Sequence, residues 1–400
     1  MHQVCDICVV GNGAVGKAAA LGFARAGRSV ILLSPAASAS VASHESWDVR
    51  VYALNHVARA LLSGLMVWDA LDASRVAPVE AMSIEGDGGG RGAGKLGFDA
   101  YGAHVGALAW IVEDRNLNQA LDAALRFAPG VKRVTGRAAA LRQDGAAECL
   151  TLDNGDTLAA QLVLGADGAQ SWLRGQCDIG YDYRSYGQHG VVANFECEKP
   201  HHGTAYQWFC GKEGIVALLP LPGQRVSLVW SAPDALALQM LREPATLLAQ
   251  RLAPWAAATL GTLTPVQPES VKAFPLLLLR PHAMTAPRVA LVGDAAHVIH
   301  PLAGHGMNLG FGDVEALQKI VEGAADCGDA RLLRRYERAR KEDVLLMQAT
   351  TDGLARLFAS EAAPLRFIRN AGMNLLNGLP VLKRRLIAQA LGRASLALSD

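Results

Sequence analysis

The stretch of residues 5–34, CDICVVGNGAVGKAAALGFARAGRSVILLS, constrains the fold more than any other part of this chain. A short apolar run leads into Gly11-x-Gly13-x-x-Gly16, helical spacing follows, and a second apolar run ends at Ser34. In this pattern the first glycine permits a tight turn, the second lets a phosphate approach the backbone, and the third lets the helix pack on the strand. The stretch therefore predicts the start of a parallel α/β sheet with a dinucleotide site. We expect backbone contacts to the dinucleotide from the whole turn: Gly11, Gly13, Ala14, Val15 and Gly16.

The end of the second predicted strand departs from the usual dinucleotide pattern. An Asp or Glu normally stands there and holds the adenosine ribose hydroxyls, but this strand ends at Ser34. A serine hydroxyl can accept a hydrogen bond but lacks the charge and the bidentate reach of a carboxylate. We therefore expect either weaker cofactor binding or another group at the ribose.

Composition narrows the class of protein. With 400 residues, two or three domains are expected, and 38 Lys and Arg against 37 Asp and Glu argue against nucleic acid as a partner. Seven cysteines without framework spacing indicate reduced thiols and a cytoplasmic protein. The apolar N-terminal run has no Lys or Arg before it and is predicted to be a strand rather than a signal peptide. A mean hydropathy of +0.17 leaves contact with the inner face of a membrane open.

The apolar pattern changes along the chain in a way that predicts an interrupted sheet domain. Short β-rich runs from 188 to 232 predict an antiparallel sheet, and Ala/Leu/Arg-rich segments from 312 onward predict helices. The glycine-rich segment 86–97 is predicted to be a loop or a hairpin end. The predicted division is a dinucleotide-binding domain of residues 1–75, 100–178 and 285–345, a β domain of residues 76–99 and 179–284, and a helical region of residues 346–400.

Two further strand ends carry an acidic residue beside a glycine. Asp167 and Gly168 follow one apolar run, and Gly293 and Asp294 follow another. Ligands of open α/β sheets bind at such strand ends, although an ordinary Asp-Gly turn is an equal alternative for Asp167. After Asp294 comes a glycine-rich loop, PLAGHGMNLG, and we expect a helix to begin near Met307 or Asn308 with its free amides facing an anionic ligand.

Together these motifs resemble the three fingerprints of class A flavoprotein aromatic hydroxylases: GNGAVG, GADGAQSWLR and GDAAHVIHPLAGHGMNLG. Other stretches, among them SWDVRVYALN (46–55) and WIVEDRNLNQAL (110–121), are similar to the ubiquinone-biosynthesis hydroxylase branch. The resemblance covers nearly the whole chain. It implies a p-hydroxybenzoate hydroxylase-like α/β fold, in which a Rossmann-like FAD domain of the glutathione-reductase type carries an inserted antiparallel β-sheet substrate domain and C-terminal helices.

The resemblance also implies an activity and a set of site residues. The cofactor would be FAD, reduced by NADPH or NADH, and the reaction would be O2-dependent hydroxylation of a prenylated phenol. Arg50 and Asp114 would flank the middle of FAD, Asp167 would lie near the pyrophosphate and the pyridine nucleotide, and Gly293 and Asp294 would hold the ribityl chain. The flavin ring would be lined by Pro301 and by the amides from Gly304 to Asn308, which include those of Gly306 and Met307.

Three residues depart from the family pattern, and several assignments have alternatives. Besides Ser34, Asp114 stands where an amide or arginine is commoner, and His305 replaces the usual glutamine. Arg50 could instead be a surface arginine at a helix start, and Asp114 could be the N-cap of a helix beginning near Arg115.

The substrate pocket and the C-terminal segment are also open to two interpretations. Tyr206, Trp208, Leu218 and Leu219 could line an apolar substrate pocket or belong to an ordinary core. Residues 379–398, LPVLKRRLIAQALGRASLAL, could form an amphipathic helix on a membrane surface or a solvated helix packed on the body of the protein.

The histidines suggest metal binding and the CxxC pair suggests redox chemistry, but we consider both the weaker interpretations. His297, His300 and His305 do not supply a convincing zinc ligand set, so no metal is predicted. We interpret His297 and His300 as structural, and an imidazole at His305 would titrate near neutral pH beside the flavin. Cys5 and Cys8 on one strand point to opposite faces, so core thiols are expected rather than a redox pair.

Three functions remain in competition. The first is an FAD monooxygenase acting on a ubiquinone precursor, with other ubiquinone-biosynthesis proteins as further partners. The second is an FAD hydroxylase of a different aromatic metabolite. The third is a non-catalytic accessory protein with the same fold, which the departures at Ser34, Asp114 and His305 would permit.

Overall fold

The computed structural model describes residues 2–35, 46–87, 94–267, 269–359 and 363–377. Residues 379–398, for which a membrane-surface helix is one of the two predictions, lie outside the described residues, as do residues 88–93 of the glycine-rich segment.

The described chain alternates strands and helices in its first half and ends in helices. The strands are β1 (His2–Val10), β2 (Val30–Ser34), β3 (Val51–Leu54), β4 (Val76–Val79), β5 (Ala81–Glu85), β6 (Lys95–Asp99), β7 (Ala109–Glu113), β8 (Val131–Thr135), β9 (Ala138–Asp144), β10 (Ala147–Leu152), β11 (Thr157–Gly165), β12 (Tyr181–Cys197), β13 (Thr204–Phe209), β14 (Ile215–Leu221), β15 (Arg225–Pro233), β16 (Leu263–Pro265), β17 (Lys272–Pro281), β18 (Thr285–Ala286) and β19 (Val289–Leu291). The helices are α1 (Ala14–Arg25), α2 (His56–Gly64), α3 (Asp114–Arg126), α4 (Trp172–Gln176), α5 (Asp234–Arg242), α6 (Ala245–Leu260), α7 (His305–Val321), α8 (Ala330–Ala359) and α9 (Ala363–Asn377).

The first sheet is the predicted parallel sheet. Its strand order is β18-β19-β11-β1-β2-β8, and β1, β2, β8, β11 and β19 pair in parallel. The inner half of β1 is almost wholly buried, as expected for a strand covered on both faces. Because the strands run in parallel, the ends of β1, β11 and β19 meet at one edge, where all three acidic or glycine-rich turns follow.

The second sheet is antiparallel except at one pair. Its order is β16-β12-β15-β14-β13-β5-β6, with β17 on β12, and only β13 and β5 pair in parallel. β5 and β6 pair in antiparallel, and residues 95–97 of the segment predicted to be a loop or a hairpin end belong to β6. One face of this sheet packs against α5 and α6 in a core of its own.

A small sheet and the C-terminal helices connect these parts. The order β3-β7-β4 forms a three-stranded sheet, and α7 packs against α1, α2 and α8. α7 begins at His305, slightly earlier than predicted, because Gly304 adopts a left-handed φ of +65° and starts the helix directly. The bounds of the three predicted domains remain a prediction.

Candidate functional site

The glycine turn forms the N-terminus of α1. The N-cap is Gly13, no side chain caps the helix, and the first turn contains no acidic residue. The leading amides of α1 therefore lack side-chain acceptors, and they carry the positive end of the helix dipole. A Cβ on Gly16 would lie 2.1 Å from the carbonyl oxygen of Gly11, whereas a Cβ on Gly13 would have nothing within 4 Å. The turn is closely packed at Gly16 and has open space at Gly13, as a site for an anion requires.

The Gly293–Asp294 turn lies against this helix end. Gly293 has a φ of +61°, and a Cβ there would lie 3.4 Å from a methyl group of Val15. A Cβ on Gly310 of α7 would stand 2.8 Å from Val15 and 3.2 Å from the Cα of Gly293. The start of α1, the turn and the first half of α7 thus converge at Val15.

Asp294 is the accessible residue of this turn. Its side chain is exposed, while Gly293, Ala295 and Ala296 beside it are buried. Desolvation raises the pKa of the Asp294 carboxyl, and the charges of His297 and Arg50 act in the opposite direction. An acceptor in this position suits the hydroxyl groups of a sugar or sugar alcohol.

Asp167 lies next to the glycine turn. A Cβ on Gly11 would stand 2.3 Å from the carbonyl oxygen of Ala166, so the residues after β11 touch the residues after β1. One carboxylate oxygen of Asp167 accepts from the backbone N–H of Leu173 at 3.0 Å. The other oxygen is buried and has no hydrogen-bond partner among the described residues. Ser34, at the end of the neighbouring strand β2, is half-buried.

Arg50 and Asp114 belong to one charged group. Tyr52 donates a hydrogen bond from its hydroxyl to Asp114 at 2.8 Å. The pKa of Arg50 is raised by Tyr52 and by the carboxylates of Asp114, Asp294 and Asp48. Arg50 is exposed and precedes strand β3, so it does not stand at a helix start.

The predicted N-cap role of Asp114 is wrong. The N-cap of α3 is Glu113, and Asp114 is the first residue inside the helix. Besides the bond from Tyr52, Asp114 accepts from the amide of Asn118 at 2.8 Å. Its carboxylate is therefore held toward Tyr52 instead of turning back onto the helix amides.

The loop after β19 supplies a second uncapped helix N-terminus. No side chain caps α7, and its first turn holds no acidic residue. Pro301, Gly306 and Met307 are half-buried. Burial lowers the pKa of His305, which favours the neutral imidazole at pH 7.

The side chain of Asn308 is held by backbone groups of β3 and of the residue before α2. Its amide donates to the backbone oxygen of Ala53 at 2.8 Å and accepts from the N–H of Asn55 at 2.9 Å. Its side chain thus ties α7 to the end of β3 and the start of α2. The predicted contact with the flavin ring concerns the amides from Gly304 to Asn308 and stays a prediction.

The second sheet separates the predicted pocket residues by face. Tyr206 pairs with Leu218 across β13 and β14, and opposite residues share a face. Leu218 and Trp208 are buried in the core against α5 and α6, and Tyr206 packs on that core. For these three residues the structure supports the core alternative.

The opposite face of the same sheet lies toward β3 and the glycine-rich loop before α7, which we call the flavin loop. Leu219 packs against the same small apolar cluster as Val51 and Ala53 of β3, and a Cβ on Gly304 would lie 3.0 Å from Ala53. Following the pairings from Gln207, this face continues through Ala217, Val229 and Val192. Ala217, Leu219 and Val229 are half-buried. The alternation of side chains along these strands predicts two faces, but it does not say which of the two lies toward the cofactor.

The histidines and cysteines of the described chain have structural surroundings. His297 hydrogen-bonds to Asp313 at 2.7 Å and both are buried. His300 contacts Gln188 at 3.3 Å. Cys5 and Cys8 are free buried thiols whose pKa values are raised by burial. Within the described ranges, no group of three or more His, Cys, Asp or Glu side chains could hold a metal ion.

The donor and acceptor set fits FAD. Two uncapped helix N-termini offer amides to anionic groups, Asp294 offers an acceptor for hydroxyl groups, and Arg50 offers a cation between them. The open space before Gly13 leaves room for a pyrophosphate. The sequence did not single out Tyr52, which orients Asp114, because a lone tyrosine on a strand carries no motif.

Comparison with known proteins agrees with this geometry. The FAD binding domain family matches residues 4–350. The chain is 36% identical to the 3-demethoxyubiquinol 3-hydroxylase of Escherichia coli (strain K12) over 399 residues, covering 98% of this chain and 99% of that protein. It is 34% identical to the ubiquinone hydroxylase UbiL of Rhodospirillum rubrum, covering 98% of this chain and 91% of that protein.

A solved structure shows the same fold at lower identity. The p-nitrophenol 4-monooxygenase PnpA from Pseudomonas putida DLL-E4 superposes with a TM-score of 0.77 at 17% sequence identity, covering 98% of this chain and 99% of that chain.

Proposed function

The chain belongs to the FAD-binding monooxygenase family that includes the ubiquinone hydroxylases, and from this premise we propose that it hydroxylates the aromatic ring of a polyprenylphenol intermediate in ubiquinone biosynthesis. It is an FAD-dependent monooxygenase that uses NADPH or NADH and O2. The observation that carries the proposal is the convergence of α1, α7 and the Asp294 turn at Val15 in a chain similar over its whole length to ubiquinone hydroxylases.

The residues at the strand edge would bind and orient the cofactor. The amides of α1 would hold the pyrophosphate, Asp294 would accept hydrogen bonds from the ribityl hydroxyls, and the amides of α7 would face the flavin ring. Arg50, oriented among Tyr52, Asp114 and Asp294, would supply positive charge at the middle of FAD. When bound, FAD supplies the redox chemistry that activates O2, so no nucleophile from the protein is required.

The substrate would bind on the face of the second sheet that lies toward the flavin loop. Ala217, Leu219 and Val229 present half-buried apolar surface there, and Gln207 is a polar neighbour on the same face. An apolar wall keeps water from the reacting ring and accommodates a prenylated substrate. This assignment replaces Tyr206, Trp208 and Leu218 as the proposed pocket.

The first test is cofactor binding. We expect the purified protein to be yellow, with flavin absorbance bands that Asp294→Ala abolishes or weakens because the ribityl hydroxyls lose their acceptor. Asp144→Ala, an exposed carboxylate on β9, is the matched control and should leave the bands unchanged. A colourless wild-type protein that cannot be reconstituted with FAD would defeat both enzyme hypotheses and favour the accessory protein.

The substrate is tested by kinetics and by metabolite analysis. Oxidation of NADPH or NADH should be stimulated by a prenylphenol and not by simple phenols. Deletion of the protein should cause a prenylated precursor lacking one ring hydroxyl to accumulate, and its identity gives the carbon that is hydroxylated. Stimulation by a simple phenol alone would support a hydroxylase of another aromatic metabolite.

A further proposal concerns contact of this protein with a membrane. Among the described residues, no helix is long and apolar enough to cross a membrane. Residues 379–398 combine Lys383, Arg384, Arg385 and Arg393 with leucines and alanines, a composition suited to an anionic membrane surface. We infer a cytoplasmic protein that binds the inner face of the membrane through this segment, where a lipid-dissolved substrate and other ubiquinone-biosynthesis proteins are available.

Liposome cosedimentation tests the membrane contact. Removal of residues 379–400 should reduce binding to anionic liposomes, because both the cationic and the apolar residues of the segment are lost. FAD content serves as the control for folding. Undiminished liposome binding by the FAD-loaded truncated protein would defeat the membrane role.

A further inference from the structure

A buried charged network lies directly behind the Asp294 turn. Asp313 of α7 is fully buried. One of its oxygens accepts from the backbone N–H of Gly293 at 2.9 Å and from His297 Nε2 at 2.7 Å. Its other oxygen accepts from Arg340 Nε at 2.7 Å. The carboxylate thus joins the turn, α7 and α8 at one point.

The network keeps Asp313 ionised in a place where an isolated charge would be unfavourable. Burial alone would raise the pKa of the Asp313 carboxyl, but His297 and Arg340 hold that pKa below its usual range. A buried carboxylate of this kind is tolerated only when its partners are all in place. Its hydrogen bond to Gly293 is therefore a bond to a charged acceptor, which is stronger than a neutral one.

The network holds both ends of the turn that carries Asp294. On one side it fixes the N–H of Gly293, whose φ of +61° turns the chain. On the other side it fixes the His297 ring, while the N–H groups of Ala296 and His297 close the turn on the carbonyl oxygen of Gly293 at 2.8 and 2.9 Å. Asp294 stands between these two anchors and is itself accessible.

Helix α8 supplies the cation from a distant part of the chain. Arg340 also donates to the backbone oxygen of Leu309 at 3.3 Å and to Asp343 at 2.7 Å. Asp343 is 64% exposed and does not take part in the contacts with the turn. Asp343 therefore offers a control for Asp313, because it is a second carboxylate that binds the same arginine.

We propose that Asp313, supported by His297 and Arg340, is a positioning residue that sets the Gly293–Asp294 turn in the conformation that binds FAD. The inference rests on the proposed cofactor role of Asp294. Asp313 acts through the turn and does not touch the cofactor. The C-terminal helix α8 thereby contributes to the cofactor site through Arg340.

The test compares FAD binding by apoprotein variants that are folded by far-UV circular dichroism. Asp313→Asn puts an amide among N–H donors, so FAD binding should weaken about 10- to 100-fold, the range expected for losing a hydrogen bond to a charged group. The visible circular dichroism of the saturated flavin should also change, because the turn shifts. Asp343→Asn removes a carboxylate from the same Arg340 and should leave both measurements unchanged.

Two further variants make the outcome decisive. Arg340→Lys, which keeps a cation, should bind FAD more tightly than Arg340→Gln, and this pair replaces Asp313→Asn if that variant does not fold. An affinity of Asp313→Asn within threefold of Asp343→Asn, an unchanged flavin spectrum, or equal affinities of the two Arg340 variants would overturn the positioning role. If Asp294→Ala also binds FAD like wild type, the proposed cofactor site fails instead.

Discussion

Gly11 has a backbone φ of +112°, and a Cβ built there would stand 2.3 Å from the carbonyl oxygen of Ala166. Gly13 has an ordinary extended conformation with a φ of −66°, and a Cβ there would meet nothing within 4 Å. The two glycines of one motif are therefore required for different reasons. Gly11 is required by the fold itself, and Gly13 only by the approach of a ligand.

Alanine substitutions should separate these two requirements. Gly11→Ala should lower the melting temperature of the apoprotein strongly, because the backbone at Ala166, directly after β11, would have to move. Gly13→Ala should leave apoprotein stability within about 0.5 kcal/mol of wild type yet weaken FAD binding, because the methyl group occupies the space before the helix. Calorimetry of the apoprotein and FAD titration measure the two effects. Tight FAD binding by Gly13→Ala would contradict a pyrophosphate at this turn.

At the scale of the element, β14 shows how a strand assigns neighbouring residues to different tasks. Leu218 is fully buried in the core against α5 and α6, whereas Ala217 is half-buried on the face toward the flavin loop. Side chains alternate across a strand, so neighbouring positions cannot share a face. Two adjacent positions therefore differ in role: Leu218 stabilises the core, and Ala217 lies on the face where we propose that the substrate binds.

Substitutions at these two neighbouring positions should therefore affect different properties, stability at Leu218 and use of the substrate at Ala217. Leu218→Ala should destabilise the protein by about 2–5 kcal/mol through a core cavity, with the Michaelis constant for a prenylphenol unchanged. Ala217→Phe should raise that Michaelis constant or abolish stimulation by the prenylphenol, while bound FAD is retained. Urea unfolding and NADPH oxidation measure the pair. An unaffected Michaelis constant in Ala217→Phe would place the substrate elsewhere.

At the scale of the whole molecule, His300 joins the flavin loop to the second sheet and the C-terminal helices. Its ring meets Tyr186 edge to face at 4.9 Å and contacts Gln188 on β12. Desolvation lowers the pKa of His300 to about 4, although the charge of Asp352 on α8 acts in the opposite direction. The protein thus buries a neutral imidazole where three parts of the chain meet.

This burial makes the stability of the molecule depend on pH. The stability due to neutral His300 is fully present above pH 6.5, the pKa of an unfolded histidine, and is lost as the pH falls toward the folded pKa, because the unfolded state takes up the proton first. We expect a loss of about 2 kcal/mol between pH 7.5 and pH 5 from this residue. Urea unfolding of apoprotein at both pH values measures it.

His300→Gln should remove about this much of the pH dependence. The control is His282→Gln, whose side chain is 63% exposed and pairs with Asp182 on the surface. Equal pH dependence in wild type and His300→Gln would show that His300 does not remain neutral in the folded protein.

Local sequence patterns were enough to predict the elements and the chemistry at their ends. The apolar runs, the glycine spacing and the acidic residues after β11 and β19 are local patterns, and they predicted the parallel sheet, the dinucleotide turn and Asp294. Motif resemblance extended this to FAD and an aromatic substrate. These features are readable because each depends on residues that are close together in the chain.

Contacts between residues that are distant in the chain could be identified only once the chain was folded. Asp313 reaches Gly293 from twenty residues away and is joined there by Arg340 of another helix, and the pairing of β13 with β14 fixed the face that carries Ala217. The choice between the pocket and the core alternatives for Tyr206, Trp208 and Leu218 has the same cause. Periodicity gives the two faces of a strand, but the side on which other elements pack depends on long-range contacts that a local pattern does not contain.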